Sequence, residues 1–485
     1  MQSARSLTMR RALAQAARGP ALTATSSPAA VLARRSVSHI AASNSTSKSK
    51  ATKAKSKVTA ARPIVPTQQQ AAPQARHESS STPQETLSKT PLYDLHMAYG
   101  AKMVPFGGFH MPVQYKDFSV SESHVFTRQH SSIFDVSHMV QRYFSGPGAA
   151  YFLQRITPSY LTGLPINRGT LSTLLHPSGS GGIIDDTIIT RLTKTDFYVV
   201  TNAGCRAKDD AYLAAELAKW NRDPDNAHRQ ATQADWSDRG LIALQGPESQ
   251  AILSFVLADN TIDLSTVYFG QTFVAPIRLP SLEPSRLCII SRGGYTGEDG
   301  FEISIPGAQT ADVTRALLEA GGPTRVRLAG LGARDSLRLE AGMCLYGHDL
   351  DEATTPVEAG LGWIVPKERR GLNAGYYGAD KITRQLIPIS KGGTGVERRR
   401  VGLVVEGAPA REGVEIVERG GGPKIGVVTS GCPSPTLGIN IAMGYIKEGM
   451  HKVGTEVDVM VRGKPRKAMV VKMPFVEAKY YKNVV

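Results

Sequence analysis

The first acidic residue of this chain is Glu78, and 13 of its 57 lysines and arginines lie ahead of that position. A segment with no carboxylates to pair its bases and few large apolar side chains cannot bury enough surface to offset the entropy of ordering its backbone. A folded domain therefore has to be built from the residues C-terminal to it. Arg5, Arg10, Arg11, Arg18, Arg34 and Arg35, set among Ala, Ser, Thr and Leu, give residues 1–40 the composition of a mitochondrial transit peptide. Residues 41–89, mainly Ser, Lys, Ala, Gln, Thr and Pro, read as a disordered linker and solvated tether. The same asymmetry disposes of the formal net charge of +15 as a sign of a nucleic-acid or anionic-membrane partner, since most of the excess sits in the leader and the remainder is nearly neutral.

No run of about 18 or more apolar residues occurs, so no membrane-spanning helix is expected. Cys205, Cys288, Cys344 and Cys432 are too dispersed for zinc or iron–sulfur ligation or for a disulfide framework, and read as reduced, mostly buried thiols. From Thr90 the pattern alternates between β-rich and helical stretches. Ile183–Thr190, Phe197–Thr201, Leu241–Leu244 and Leu287–Ser291 are predicted strands. Ala203–Lys219 is a predicted helix, and Ala329, Ala333 and Leu337 recur at i, i+4 on another that should stop at Gly342. These stretches place residues 90–380 in the α+β class. Past the Lys391–Gly395 stretch the chain becomes a series of short β runs: Val401–Val405, Lys424–Thr429, Ile439–Ile446, Glu456–Val461 and Ala468–Lys472. Residues 395–485 are therefore expected to form a compact β-barrel.

Several chemistries leave no mark. There is no G-x-G-x-x-G turn, no phosphate loop, no G-x-S-x-G elbow and no H-E-x-x-H helix, and His138 and His348 are isolated and read as structural. What remains are polar residues inside apolar runs. Asp185 and Asp186 stand between Ile183-Ile184 and Ile188-Ile189, so one carboxylate should face a core or cavity, unless the pair only closes the Gly-rich turn before it. Glu302, between Phe301 and Ile303, could meet an amidine-like group with its two oxygens, or could be an exposed strand residue. Arg334, Asp335, Arg338 and Glu340 could form a solvated face or bring Arg334 to the same pocket.

Together the blocks Thr90-Pro91-Leu92-Tyr93-Asp94, Phe134-Asp135-Val136-Ser137-His138-Met139, Gly182-Ile183-Ile184-Asp185-Asp186, Gly294 to Glu302, Ala333-Arg334-Asp335-Ser336-Leu337-Arg338 and Thr429 to Pro435 carry a resemblance. Over about Thr90 to Tyr481 the chain resembles the tetrahydrofolate-dependent aminomethyltransferases, the T-proteins of the glycine cleavage system. Phe109 stands where relatives often have Trp. The resemblance implies a three-domain cloverleaf, two α+β lobes and a C-terminal β-barrel, around a folate cavity. It implies transfer of the one-carbon unit from aminomethyl-lipoyl H-protein to tetrahydrofolate with release of ammonia, in the mitochondrial matrix. The P- and L-proteins are implied as functional partners, and neither a metal nor a nucleotide cofactor is. It carries the catalytic aspartate onto Asp186, and folate-pocket residues onto Asn202, Tyr295, Glu302, Arg334 and Tyr480. Two related readings stay beside it: a folate-binding demethylase domain served by a separate flavoprotein, and an iron–sulfur assembly factor on the same fold, whose Lys-Gly-Cys-Tyr stretch is missing here.

Overall fold

The computed structural model describes residues 87–483; the transit peptide expected over residues 1–40 and the linker, up to residue 86, lie outside the described residues. The last linker positions, Ser88–Lys89, form a strand parallel to the start of Phe109–Tyr115, which turns back antiparallel on Ala101–Phe106. The turn, Gly107-Gly108, has φ of 55° and 81°. At Gly107 a Cβ would also fall 2.8 Å from that of Ala203, so only glycine lets the hairpin tip rest beside the Asn202 turn.

Two larger sheets come next. One has six strands in the order Thr272–Ala275, Cys288–Arg292, Gly300–Pro306, Arg239–Gln245, Ser131–Asp135, Val326–Ala329. The other has five, in the order Arg168–Leu175, Ile183–Arg191, Asp196–Thr201, Val140–Ser145, Thr232–Asp235. The chain leaves the first sheet after Asp135, makes the whole of the second, and returns at Arg239, whose strand pairs with the one it left. The two sheets are thus joined where neighbouring strands part, and a single apolar layer lies between them. Phe134, Val136, Leu241, Ala243 and Ile289 come from the first sheet, Tyr198 and Val200 from the second, and Ala333 and Leu337 from the helix Leu331–Glu340. Completely buried members such as Ala243 and Leu337 show that this layer is tight.

The C-terminal region is a closed barrel of six strands in the order Arg398–Val405, Asn440–Lys447, Lys424–Pro433, Glu415–Glu418, Glu456–Val461, Lys464–Val471. Closure leaves no unpaired edge. The overall class is α+β with a C-terminal β-barrel, as the sequence and the resemblance imply.

The structure adds elements to the sequence reading and corrects one of its placements. The strand Glu415–Glu418 is absent from it, because two exposed glutamates flank only two buried residues, Ile416 and Val417. Ala329 is not on the helix with Ala333 and Leu337 but ends the strand Val326–Ala329. The break comes at Gly330, where a Cβ would lie 2.4 Å from the Val113 carbonyl oxygen and the backbone is extended before the helix begins. At the other end the helix stops as expected, with Gly342 at φ 67°.

Candidate active site

The β-branched run of Ile183–Arg191 favours a strand, and the chain enters it through Gly182, where a Cβ would collide at 1.8 Å with the Glu352 carbonyl oxygen. Successive side chains alternate across it. Asp185 is fully buried, while Asp186, opposite Thr173 on the next strand, keeps part of its surface open. Asn202, ahead of the turn Ala203–Cys205, ties the two together. Its Nδ2 donates to Asp185 Oδ1 and to Asp186 Oδ1, each at 2.8 Å, and its backbone N–H donates to Asp185 Oδ2 at 2.8 Å. Both amide protons are therefore used, one on each carboxylate. Burial and the charge of Asp185 push Asp186 up to about 7, against the pull of the Asn202 hydrogen bond.

Glu302 projects from Gly300–Pro306, with Ala243 and Ser291 as its cross-strand neighbours. These small residues leave space above the carboxylate. Among the described residues Glu302 makes no hydrogen bond and no ion pair within 4.0 Å; burial raises its pKa and the nearby Arg334 cation opposes the rise. Arg334, in the first turn of Leu331–Glu340, also has a buried Nη1 without a partner. Its guanidinium lies 4.7 Å from the ring centre of Tyr295, and the Tyr295 hydroxyl donates to the Cys344 carbonyl. Tyr295 is thus held from its far end and presents its face to the cation. The field of Asp186 reaches Tyr295, and that of Arg334 reaches both Tyr295 and Glu302.

Five of the six residues singled out in the sequence are therefore connected: Asp186 and Asn202 by a hydrogen bond, Tyr295 and Arg334 by ring contact, and Glu302 by charge. Tyr480 is set apart. Its ring packs 4.3 Å from that of Phe269, and it has no hydrogen bond to the other five. Burial raises its hydroxyl to about 12. The terminal segment is nonetheless fastened to the Tyr295 loop, since Lys479 N–H donates to the Gly297 carbonyl at 2.7 Å.

Two further residues join the site that the sequence does not single out. His138, read as structural, is buried beside Arg334 with Nδ1 unpartnered. Burial draws its imidazole down to about 4, the Arg334 cation adding to the fall and Asp135 opposing it, so it is neutral at physiological pH. Asp209 lies completely buried against Asp185. Its signal in the sequence is its spacing: Asp209, Leu213 and Glu216 are the buried residues of the helix Arg206–Arg222, so an acid occupies the face that Leu213 marks as inward.

An unpaired carboxylate facing an arginine, with a second carboxylate held by an amide close by, makes a polar cluster on an α+β body with an appended barrel. Known proteins give it a class. Residues 92–369 match the GCVT N-terminal domain and residues 398–477 the glycine cleavage T-protein C-terminal barrel domain. The chain is 47% identical over 409 residues to the probable mitochondrial aminomethyltransferase of Schizosaccharomyces pombe, covering 84% of this chain and 97% of that one. It is 44% identical over 399 residues to the mitochondrial aminomethyltransferase of Pisum sativum, covering 82% and 91%. The crystal structure of the glycine cleavage system aminomethyltransferase T from Bartonella henselae superposes with a TM-score of 0.70 at 38% identity, over 82% of this chain and all of that one. The chain belongs to the glycine cleavage T-protein family, and it is an aminomethyltransferase.

Proposed function

We propose that the pocket receives tetrahydrofolate with the 2-amino-4-oxo edge of its pteridine on Glu302, and that Asp186 faces the folate nitrogens that take up the one-carbon unit. The observation that carries this reading is the unpaired Glu302. Glu302 is half-buried and has no hydrogen-bond partner among the described residues, so its carboxylate is free to take two parallel N–H donors from an amidine-like edge in a bidentate, charge-assisted contact. Arg334, whose own Nη1 lacks a partner, completes the polar frame, and Tyr295 fixes its plane. Asn202 holds one oxygen of Asp186 and leaves the other for the ligand. Tyr480, on Phe269, closes the edge of the pocket next to the Tyr295 loop.

The co-substrate is the aminomethyl group borne on the lipoyl arm of H-protein, with the P- and L-proteins completing the cycle in the mitochondrial matrix. The curated relatives named above are mitochondrial. In the transfer, the carbon of the S–CH2–NH2 unit forms bonds to the two folate nitrogens, its bonds to nitrogen and sulfur break, and the two N–H hydrogens of the folate leave as part of ammonia and of the lipoyl thiol. The products are ammonia, 5,10-methylenetetrahydrofolate and dihydrolipoyl H-protein. The carbon becomes cationic as ammonia departs, and a carboxylate held close by stabilises that charge while accepting hydrogen bonds from the folate. No residue of the site needs to form a bond to the substrate.

Calorimetric titration of tetrahydrofolate into the wild-type protein and Glu302→Gln tests the reading. We expect affinity to fall by about 10- to 100-fold, the value of one hydrogen-bonded charge of roughly 1.5–3 kcal/mol. Equal affinity for both proteins would remove Glu302 from the pocket.

A further inference from the structure

We propose that Asp209 is a positioning residue for the transfer: a buried carboxylic acid that keeps its proton and donates it in a hydrogen bond to Asp185, so that Asp185 stays an anion and holds Asn202, which in turn holds Asp186. This inference rests on the assignment of Asp186 as the carboxylate facing the folate.

Asp185 accepts the backbone N–H of Asn202 and one proton of its carboxamide, each at 2.8 Å, and the Cys205 thiol also faces it as a donor. Asp209, on the first turn of the helix Arg206–Arg222, is completely buried, and the donor that faces it, the Thr201 hydroxyl, is not within hydrogen-bond geometry of either carboxylate oxygen. Two carboxylates face to face in such a place cannot both be charged. The proton belongs on the partner with the fewer donors, Asp209, and an acid O–H directed at Asp185 satisfies both groups at once.

The groups around Asp209 agree. Asp185 faces it from the strand Ile183–Arg191, Thr201 from Asp196–Thr201, Arg142 from Val140–Ser145, Cys205 from the turn before the helix, and Tyr212 from the next turn of the helix. Arg142 is the only cation of the set; its Nη1 is committed to Asp210, and its buried Nε and Nη2 make no hydrogen bond to Asp209. Burial first and Asp185 second hold the Asp209 carboxyl up at about 9, with Thr201 and Arg142 opposing.

The consequence lies in the order of the chain. Asn202 has two amide protons and spends one on each aspartate, so its orientation depends on Asp185 staying an acceptor. A protonated Asp185 would release one arm of Asn202 and let the free oxygen of Asp186 turn away from the ligand. Asp186 sits where a shift of about 1 Å in a catalytic group costs roughly 100-fold in rate.

The test compares full-length wild type, Asp209→Asn, Asp209→Leu and Asp186→Asn, with aminomethylated H-protein and tetrahydrofolate, from about pH 6 to 10. Asp209→Asn keeps an N–H donor toward Asp185 and cannot ionise. It should retain most of the wild-type kcat at neutral pH and lack the alkaline fall in kcat expected of the wild type as Asp209 ionises at about pH 9. Asp209→Leu removes the donor, and kcat should drop by about 10- to 100-fold while KM for tetrahydrofolate stays within about threefold. Infrared difference spectra supply a readout independent of activity and of how well the leucine variant folds: the C=O stretch of a protonated carboxylic acid that persists in the wild type at about pH 8.5, after Asp186 has ionised, should be missing from Asp209→Asn. An unchanged alkaline limb in Asp209→Asn, a wild-type rate in Asp209→Leu, or no change in the acid band would overturn the proposal. An Asp186→Asn variant with wild-type rate would overturn the underlying reading instead, so the two failures are distinguishable.

Discussion

Asp186→Asn should make the protein more stable at alkaline pH while removing its activity. Asp186 carries a pKa raised from 3.8 to about 7, first by burial and then by Asp185. A group raised in this way supports the folded state fully below its unfolded value, and that support is lost as pH rises through the folded value. At about pH 8 the aspartate is ionised in both states, and the gap corresponds to an upper limit of about 4 kcal/mol against folding. Because Asp186 keeps part of its surface open to the pocket, solvent screens a share of this, and ~2 kcal/mol is the expected penalty. Asparagine is neutral at every pH and its carbonyl can still accept from Asn202, so the penalty disappears. For a chain of this size the gain is a rise in Tm of ~4 °C at pH 8, shrinking toward zero near pH 4, where the wild-type carboxyl is protonated in the folded state. Differential scanning calorimetry of both proteins at about five pH values measures it. A variant no more stable than wild type at pH 8, or a gain independent of pH, would refute the reasoning. The result expected is a trade of stability for function, a strained charge kept for its chemistry.

Three other outcomes are expected from the same structure. Leu337 is completely buried in the layer between the two sheets and three residues from Arg334; Leu337→Ala should cost ~2–5 kcal/mol in a urea titration, and a loss below about 1 kcal/mol would mean that the layer collapses around the gap. Glu340 accepts from Arg128 at 2.7 Å, His124 at 3.0 Å and the Thr436 hydroxyl at 2.7 Å, binding the helix to the barrel. Although burial opposes it, His124 and the Ser434 and Thr436 hydroxyls hold its carboxyl down at about 2, so its support is present above the ordinary carboxylate range and is lost as pH falls through about 2. Glu340→Gln should lose ~2–4 kcal/mol at pH 7 and show a flatter acid limb below about pH 4.5; a limb as steep as that of the wild type would locate the acid sensitivity elsewhere. Glu302→Gln should weaken tetrahydrofolate by about 10- to 100-fold, and titration with the folate's p-aminobenzoylglutamate half alone should show no difference between the two proteins if Glu302 meets only the pteridine.

Much of this site is visible in the sequence because its residues break strong local patterns. Two aspartates inside an isoleucine run and a glutamate between Phe301 and Ile303 conflict with their neighbours, and strand alternation already says that one of the aspartates faces inward. Asp185 is that one, with Asp186 turned to the pocket. Arg334 is ambiguous for a physical reason: the helix Leu331–Glu340 carries charges on several faces, and only its packing through Ala333 and Leu337 decides which one meets the sheet. Asp209 is hidden because burial on an amphipathic helix depends on the opposing strand, and its partner Asp185 is distant in sequence. Ala329 is misplaced by periodicity because i, i+4 spacing continues through Gly330, whereas the nearby Val113 carbonyl, which forces the break, belongs to a hairpin more than two hundred residues earlier. Local conflicts are legible from composition and period; their resolution is set by contacts between distant segments.

Asp186, held by Asn202, is proposed to serve transfer of the one-carbon unit to tetrahydrofolate. Its most direct test measures ammonia and 5,10-methylenetetrahydrofolate together, from aminomethylated H-protein, with wild type and Asp186→Asn at saturating folate. The account predicts equal amounts of both products from the wild type, dependent on tetrahydrofolate, and a kcat lowered by at least about 100-fold in the variant, whose folate affinity stays within about threefold. Ammonia released at the same rate without tetrahydrofolate, or a variant turning over at the wild-type rate, would contradict it.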